Sequence, residues 1–234
     1  MMLHLYLKTF LLVSSATLSF AALIPPKRAP DRTQKLYTGQ LFEYLVRSLA
    51  YIACFVIVSP SFSQSIILLV HDKYPQVGPL LCPANPARLH PLFDIPPRFL
   101  VGTAFVYAGS LFRLWSYRAL GSLFTYEVTI KNDHALVTWG PYAYVRHPAY
   151  TGVLFILLGE QLMQFGMEGY VPHCGIAHTP FVVFIYIWRY GSLFTAYSLY
   201  KRCRVEDGQL VERFGAVWED YAAKVRCKLL PYLL

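Results

Sequence analysis

Long apolar stretches separated by short polar joints decide what this chain can become. They run over residues 3–24, 44–70, 99–120, 150–167 and 180–200. Each approaches the roughly 20 apolar residues that carry an α-helix across the hydrocarbon core of a bilayer. In lipid, every backbone N–H and C=O must be satisfied internally, so separate stretches of this length are read as helices. The expected fold is therefore all-α, a polytopic transmembrane helical bundle of about five spans. Composition agrees: 15% of residues are charged and the mean hydropathy is +0.39, against about 25% charged in an ordinary soluble domain.

The spans differ in character. Residues 3–24 read either as a first span or as a signal peptide cleaved near Ser19-Phe20-Ala21; the length and the weakly basic start favour the span. The second stretch begins near Leu41, carries Glu43, Arg47 and Pro60, and suits a kinked or tilted helix. Residues 71–98 hold seven prolines, which remove backbone donors and mark a loop. Arg113 and Arg118 stand near the end of the third span, where long basic side chains can snorkel to headgroups. Glu160 and Arg189 fall at similar depths in the fourth and fifth spans, and intramembrane charges tend to pair or line a cavity, so a Glu160–Arg189 pair or a shared polar cavity is expected. Beyond Lys201, Leu210, Phe214, Val217, Tyr221 and Val225 recur every three or four residues. That pattern suits an amphipathic helix lying on the membrane face or closing a pocket.

With five crossings, the connector at 27–35, the polar loop before Tyr150 and the C-terminal segment share one side. That side gathers Lys201, Arg202, Arg204, Arg213, Lys224, Arg226 and Lys228, so the positive-inside rule assigns it to the cytosol. The same rule accounts for the net charge of +8. No basic run interleaves with aromatics, which speaks against a nucleic-acid partner. Five cysteines without a CxxC indicate neither a zinc site nor a disulfide framework. Cys82 and Cys174 share the opposite side, where a bridge is conceivable.

Two polar segments carry the chemistry. The first, HALVTWGPYAYVRHPAY, spans His134 to Tyr150. Gly140-Pro141 fixes a turn. Pro148 suits the first turn of a helix, which puts Arg146 and His147 at a helix N-terminus that favours anions. Arg146 could equally meet lipid phosphates. The second, RCRVEDGQLVERFGAVWEDYAAKV, sets Arg202 four residues before Glu206, on one helical face. By charge pattern alone this is an ordinary surface ion pair, and Glu206 with Asp207 could hold a cation or an amine.

Taken together, LVTWGPYAYVRHPAYTG and R-x-x-x-ED-x-x-L-x-x-x-FG-x-x-W-x-x-Y-x-x-x-V resemble the isoprenylcysteine carboxyl methyltransferase family over residues 123–231. Residues 123–234 then form the methyltransferase signature region of one integral domain, and residues 1–122 its N-terminal spans and loops. The resemblance implies multi-pass enzymes of the endoplasmic-reticulum membrane with the site facing the cytosol. They use S-adenosylmethionine to methylate the C-terminal carboxylate of prenylated cysteine in processed CaaX proteins. Carried over, cofactor contacts fall on His134, Ala135, Leu136, Val137, Tyr142, His147, Pro148, Ala149, Tyr150 and Glu206. The substrate carboxylate falls to Arg202, and Arg146 lies beside the reacting groups; Phe214, Gly215 and Tyr221 pack the closing helix. Glu206-Asp207 stands where many members have two glutamates. The rival activity is a phospholipid N-methyltransferase, which shares the signature and the cofactor but methylates an amine. Sterol reductases have a similar Arg-His-Pro region but are longer. The non-enzymatic alternative is a lipid-binding membrane protein.

Overall fold

The computed structural model describes residues 2–25, 39–84, 89–124, 126 and 135–230. Every regular element among them is helical. In chain order these are α1 (Met2–Leu23), α2 (Leu41–Val70), the single-turn α3 (Val77–Leu81), α4 (Pro97–Leu120), α5 (Pro148–Met163), the single-turn α6 (Tyr170–His173), α7 (Val182–Phe214) and α8 (Ala216–Lys224). Among the described residues, three segments, Leu3–Leu23, Leu41–Val70 and His90–Leu123, are long and apolar enough to cross a membrane.

The fourth and fifth apolar stretches fold as helices of unexpected extent. α5 has 16 residues, roughly 24 Å at 1.5 Å per residue, and gives way to a non-helical corner in which Gln164 and Phe165 are buried. α7 has 33 residues and runs on past Lys201 without a break. Nothing between residues 201 and 214 stops a helix; Gly215 does, at φ 52°, a conformation that favours glycine. The expected separate amphipathic helix is therefore the continuation of α7, followed by the short α8.

Glycines set the closest contact in the bundle, between the antiparallel α4 and α5. A Cβ on Gly109 would lie 2.6 Å from the Gly152 carbonyl oxygen, and a Cβ on Gly159 would lie 2.6 Å from that of Gly102. Small residues repeated along both helices let the backbones approach this closely, which is the main route to tight packing where lipid removes the hydrophobic drive. One turn beyond Gly109, Arg113 faces Gly152, whose Cβ would sit 2.7 Å from the Arg113 Cβ. The ladder thus seats Arg113 against the start of α5.

α1 packs on α2 and α4 and buries Leu12, Ala16 and Ala22 together with Lys8, Ser15 and Ser19. Its last carbonyls are capped from α4 and beyond. Ala22 O accepts from Arg113 Nε and from the Tyr117 hydroxyl, both at 2.8 Å, and Leu23 O accepts from the Tyr126 hydroxyl at 3.0 Å. Arg113 therefore turns inward instead of snorkelling, while Arg118 is exposed as expected. The Glu160–Arg189 pair does not form. Glu160 is fully buried and accepts a 3.4 Å hydrogen bond from Ser19 on α1, whereas Arg189 lies on the exposed side of α7. Equal depth did not decide the partner; the rotation of α5 toward α1 did.

At the end of the bundle where α5 stops, Cys82 and Cys174 form a disulfide across 92 residues. The Tyr170 hydroxyl donates to Leu81 O beside it, and Ala84 N to Cys174 O at 3.2 Å. Replacing Gly152 by Val should pry α4 from α5 and lower stability by about 1–3 kcal/mol, the usual cost of overpacking. Gly191→Ala, with open space around it, should be neutral or slightly stabilising; thermal unfolding of the purified protein in detergent compares them.

Candidate active site

The polar loop is held from both sides. Gly140, at φ 63°, opens the short turn Gly140–Ala143, and Pro148 begins α5. The tail after α8 then lies along the loop. Arg146 N donates to Cys227 O at 3.0 Å, His147 N to Lys228 O at 2.9 Å, and the Thr151 hydroxyl to Leu229 O. The His147 bond satisfies one of the donors that the start of a helix leaves orphaned, and the three together fasten the tail to the loop and the first turn of α5. Trp218, Tyr221 and Val225 form a small core with Leu136, Leu210 and Phe214. Trp218 takes the place expected of Val217, which is exposed. The Tyr221 hydroxyl donates to Tyr142 O at 2.8 Å, and the Arg146 guanidinium lies 5.5 Å over the Trp218 ring.

The negative charges that do meet this helix start are the protein's own. His147 sits between the adjacent carboxylates of α7: Nδ1 is 3.3 Å from Glu206 Oε2, and Nε2 is 3.0 Å from Asp207 Oδ1. Asp207 also meets Arg146 at 3.5 Å and Lys228 at 3.4 Å. Glu206 accepts from the Tyr150 hydroxyl and, at 3.1 Å, from Arg202 Nε. Arg202 is 2% exposed, so the expected surface ion pair is a buried one. Its remaining nitrogens reach Glu43 on α2 at 3.6 Å and Tyr126 O at 2.8 Å. Burial pushes the His147 imidazole down, but the hydrogen bonds it donates to Asp207 and Glu206 and their charge outweigh it and leave it raised. Burial alone would raise the Glu206 carboxyl; the hydrogen bond to His147 and the Arg202 charge instead hold it down at about 2. Asp207 is likewise lowered, against burial, by His147, Arg146 and Lys228.

These groups border one cavity of about 200 Å³. Ala135, Leu136, Val137, Tyr142, Arg146, His147, Ala149, Tyr150, Arg202 and Glu206 line it. Pro148 is fully buried behind the wall, and His134 lies outside the described residues. The motifs did not announce Glu43, Arg113 or Tyr126, which also border the cavity or its Arg202 wall. Their signal was a charge or a tyrosine beside or inside an apolar run. Away from the charged end, the cavity continues as an apolar arm between Leu49 and Ala53 of α2, Val153 and Leu157 of α5, and Thr195 and Leu199 of α7.

Comparison with known proteins follows this geometry. Residues 101–212 match the model of the "Isoprenylcysteine carboxyl methyltransferase (ICMT) family". This segment carries the ICMT family signature. The chain is 31% identical over 135 residues to the "Probable protein-S-isoprenylcysteine O-methyltransferase" of Oryza sativa subsp. indica, covering 57% of this chain and 61% of that protein. It is 30% identical over 129 residues to the "Protein-S-isoprenylcysteine O-methyltransferase" of Saccharomyces cerevisiae, covering 54% of this chain and 46% of that protein. A mouse protein of the same name is 30% identical over 126 residues, 38% of its length. The matches thus span about two fifths to three fifths of the relatives. No solved structure gives a significant match. The matched segment includes most of α4, all of α5 and most of α7, so α1 and α2, with Leu23, Glu43 and the Leu49–Ala53 side of the apolar arm, lie outside it.

The charge cluster predicts a pH optimum of stability. The raised His147 contributes fully below its ordinary 6.5, and that contribution is lost as pH rises through its folded value. The lowered Glu206 contributes fully above its ordinary 4.5 and loses this as pH falls toward about 2. Melting temperature should therefore be highest near about pH 5–6 and fall on either side, with the alkaline fall removed in His147→Gln.

Proposed function

We propose that this chain is a methyltransferase that moves a methyl group from S-adenosylmethionine to the C-terminal carboxylate of a prenylated cysteine. The observation that carries the reading is the joining of the two motifs, separated by a helical hairpin, around one cavity with a charged end and an apolar arm. The arm suits a prenyl chain. α7 touches α5 far less than α4 does, which suits entry from the bilayer between α5 and α7.

The residues fit the methyl donor. Glu206 and the Tyr150 hydroxyl offer polar contacts at the cavity wall, and Ala135, Leu136 and Val137 with the ring of Tyr142 offer an apolar bed. Bound there, S-adenosylmethionine supplies a methyl group activated by its sulfonium. A carboxylate acceptor is already ionised at neutral pH, so no general base is required. His147, clamped by two carboxylates, has the role of a cationic strut. What the side chains contribute is alignment and a dry, charge-complementary setting. Arg202 and Arg146 would border the reacting carboxylate, and Glu43 and Glu206 fix the Arg202 fork.

We further infer an endoplasmic-reticulum location with this end facing the cytosol. The basic loops gather here, and the Cys82–Cys174 bond lies at the other end of α5, as an oxidising lumen would require.

Membranes holding the protein should transfer labelled methyl from S-adenosylmethionine to a farnesylcysteine analogue and not to phosphatidylethanolamine. Transfer to the phospholipid alone would make the amine methyltransferase reading correct, and failure to bind the donor would remove both. Arg202→Ala should lower prenylcysteine turnover by about 100-fold or more with donor binding changed only a few-fold. An impermeant maleimide should reach Cys82 and Cys174 only after reduction, and only from the lumenal side of sealed vesicles.

A further inference from the structure

Among the described residues, three guanidinium groups border the cavity: Arg113, Arg146 and Arg202. Two have carboxylates of their own. Arg146 meets Asp207, and Arg202 meets both Glu206 and Glu43 while its last nitrogen is held by Tyr126 O. Arg113 meets no carboxylate among the described residues. It is 5% exposed, and its partners are neutral. Nε donates to Ala22 O at 2.8 Å and Nη1 to Ala149 O at 2.9 Å, with the rings of Tyr117 and Tyr126 at 5.0 and 5.8 Å.

Those contacts explain where Arg113 is, not why it is charged. A neutral donor could bridge the same two carbonyls without burying a permanent cation, which is costly when no counter-ion accompanies it. The dipole at the C-terminal end of α1 offsets part of the charge on the Ala22 side. On the Ala149 side the guanidinium faces the N-terminal end of α5, where the dipole disfavours a cation and favours an anion. A negative group in the cavity beside Arg113 would settle both. Nε and Nη1 donate to carbonyls and the Tyr117 and Tyr126 hydroxyls also pair with the side chain, all of them neutral groups, while Gly152 brings the Arg113 Cβ against α5.

We propose that Arg113, a buried guanidinium with no carboxylate of its own among the described residues, receives the carboxylate of a ligand entering this cavity. The inference rests on the methyl-transfer reading above, in which two ligands carry a carboxylate: the prenylcysteine acceptor and the methionine moiety of the donor. Guanidinium recognition is the same for both, so the source is decided by experiment.

The full chain and its Arg113→Gln and Arg113→Lys variants are compared in nanodiscs. One arm measures KM for farnesylcysteine carboxylate against the inhibition constant of its uncharged carboxamide. The other measures binding of S-adenosylmethionine against its decarboxylated analogue. In Arg113→Gln, preference for the carboxylate over the uncharged analogue should fall about tenfold in one arm, with affinity for the uncharged analogue held within roughly twofold. The arm that moves names the source. If Arg113→Gln does not fold, Arg113→Lys, which keeps the charge but loses the fork, should lower the same preference by about threefold. Preferences unchanged in both arms, with only kcat or melting temperature reduced, would show a structural clamp and overturn the proposal. An unaltered chain that methylates no prenylcysteine would overturn the functional reading itself, a result read without any variant.

Discussion

One imidazole gripped by two neighbouring carboxylates joins the halves of this site. His147 ends the polar loop, and Glu206 and Asp207 stand on one turn of α7. Neighbouring positions on a helix point about a hundred degrees apart, so the two carboxylates can reach the ring from different sides. The arrangement works because α7 does not stop at the expected membrane boundary. A continuous helix carries Arg202, Glu206 and Asp207 rigidly past Tyr150, and the tail following α8 returns to pair its carbonyls with the backbone of Arg146 and His147. The further charges attach to this trio in turn: Arg146 and Lys228 to Asp207, Arg202 to Glu206, and Glu43 to Arg202.

Much of this was legible beforehand. The helices, the turn at Gly140, the helix start at Pro148 and the convergence of the two motifs follow from hydropathy, proline and glycine chemistry and the motif spacing. Burial was not legible. An Arg and a Glu four residues apart look the same on paper whether they face water or a closed cavity, and here Glu43, far back in the chain on α2, completes the pair. Arg113 was read as snorkelling because depth along a span says nothing of rotation about it. The same gap misassigned Glu160, which turned to Ser19. The glycines at 102, 109, 152 and 159 held the missing rotational information, since they mark the faces on which α4 and α5 touch.

The bundle has two unlike ends. One gathers guanidinium, imidazole and carboxylate groups around a cavity; the other is closed by a disulfide and by Tyr170 on the Leu81 carbonyl. Between them the interior carries isolated polar groups with local partners, such as Lys8 on the Leu92 carbonyl at 2.7 Å and the Gln164 amide nitrogen on Ser61 at 3.1 Å, while the Gln164 oxygen has none. Where such buried groups do find partners, the bonds fix which helix faces meet.

The bond between Cys82 and Cys174 has a consequence for how the molecule comes apart. It closes a ring of 92 residues that holds α4, the polar loop and α5, while α7 and α8 hang outside it. A cross-link of that span restricts the disordered chain inside the ring and leaves the part beyond it unrestrained. Under stress the ringed hairpin should persist while α7 swings free, so the molecule surrenders its chemistry before it surrenders its scaffold.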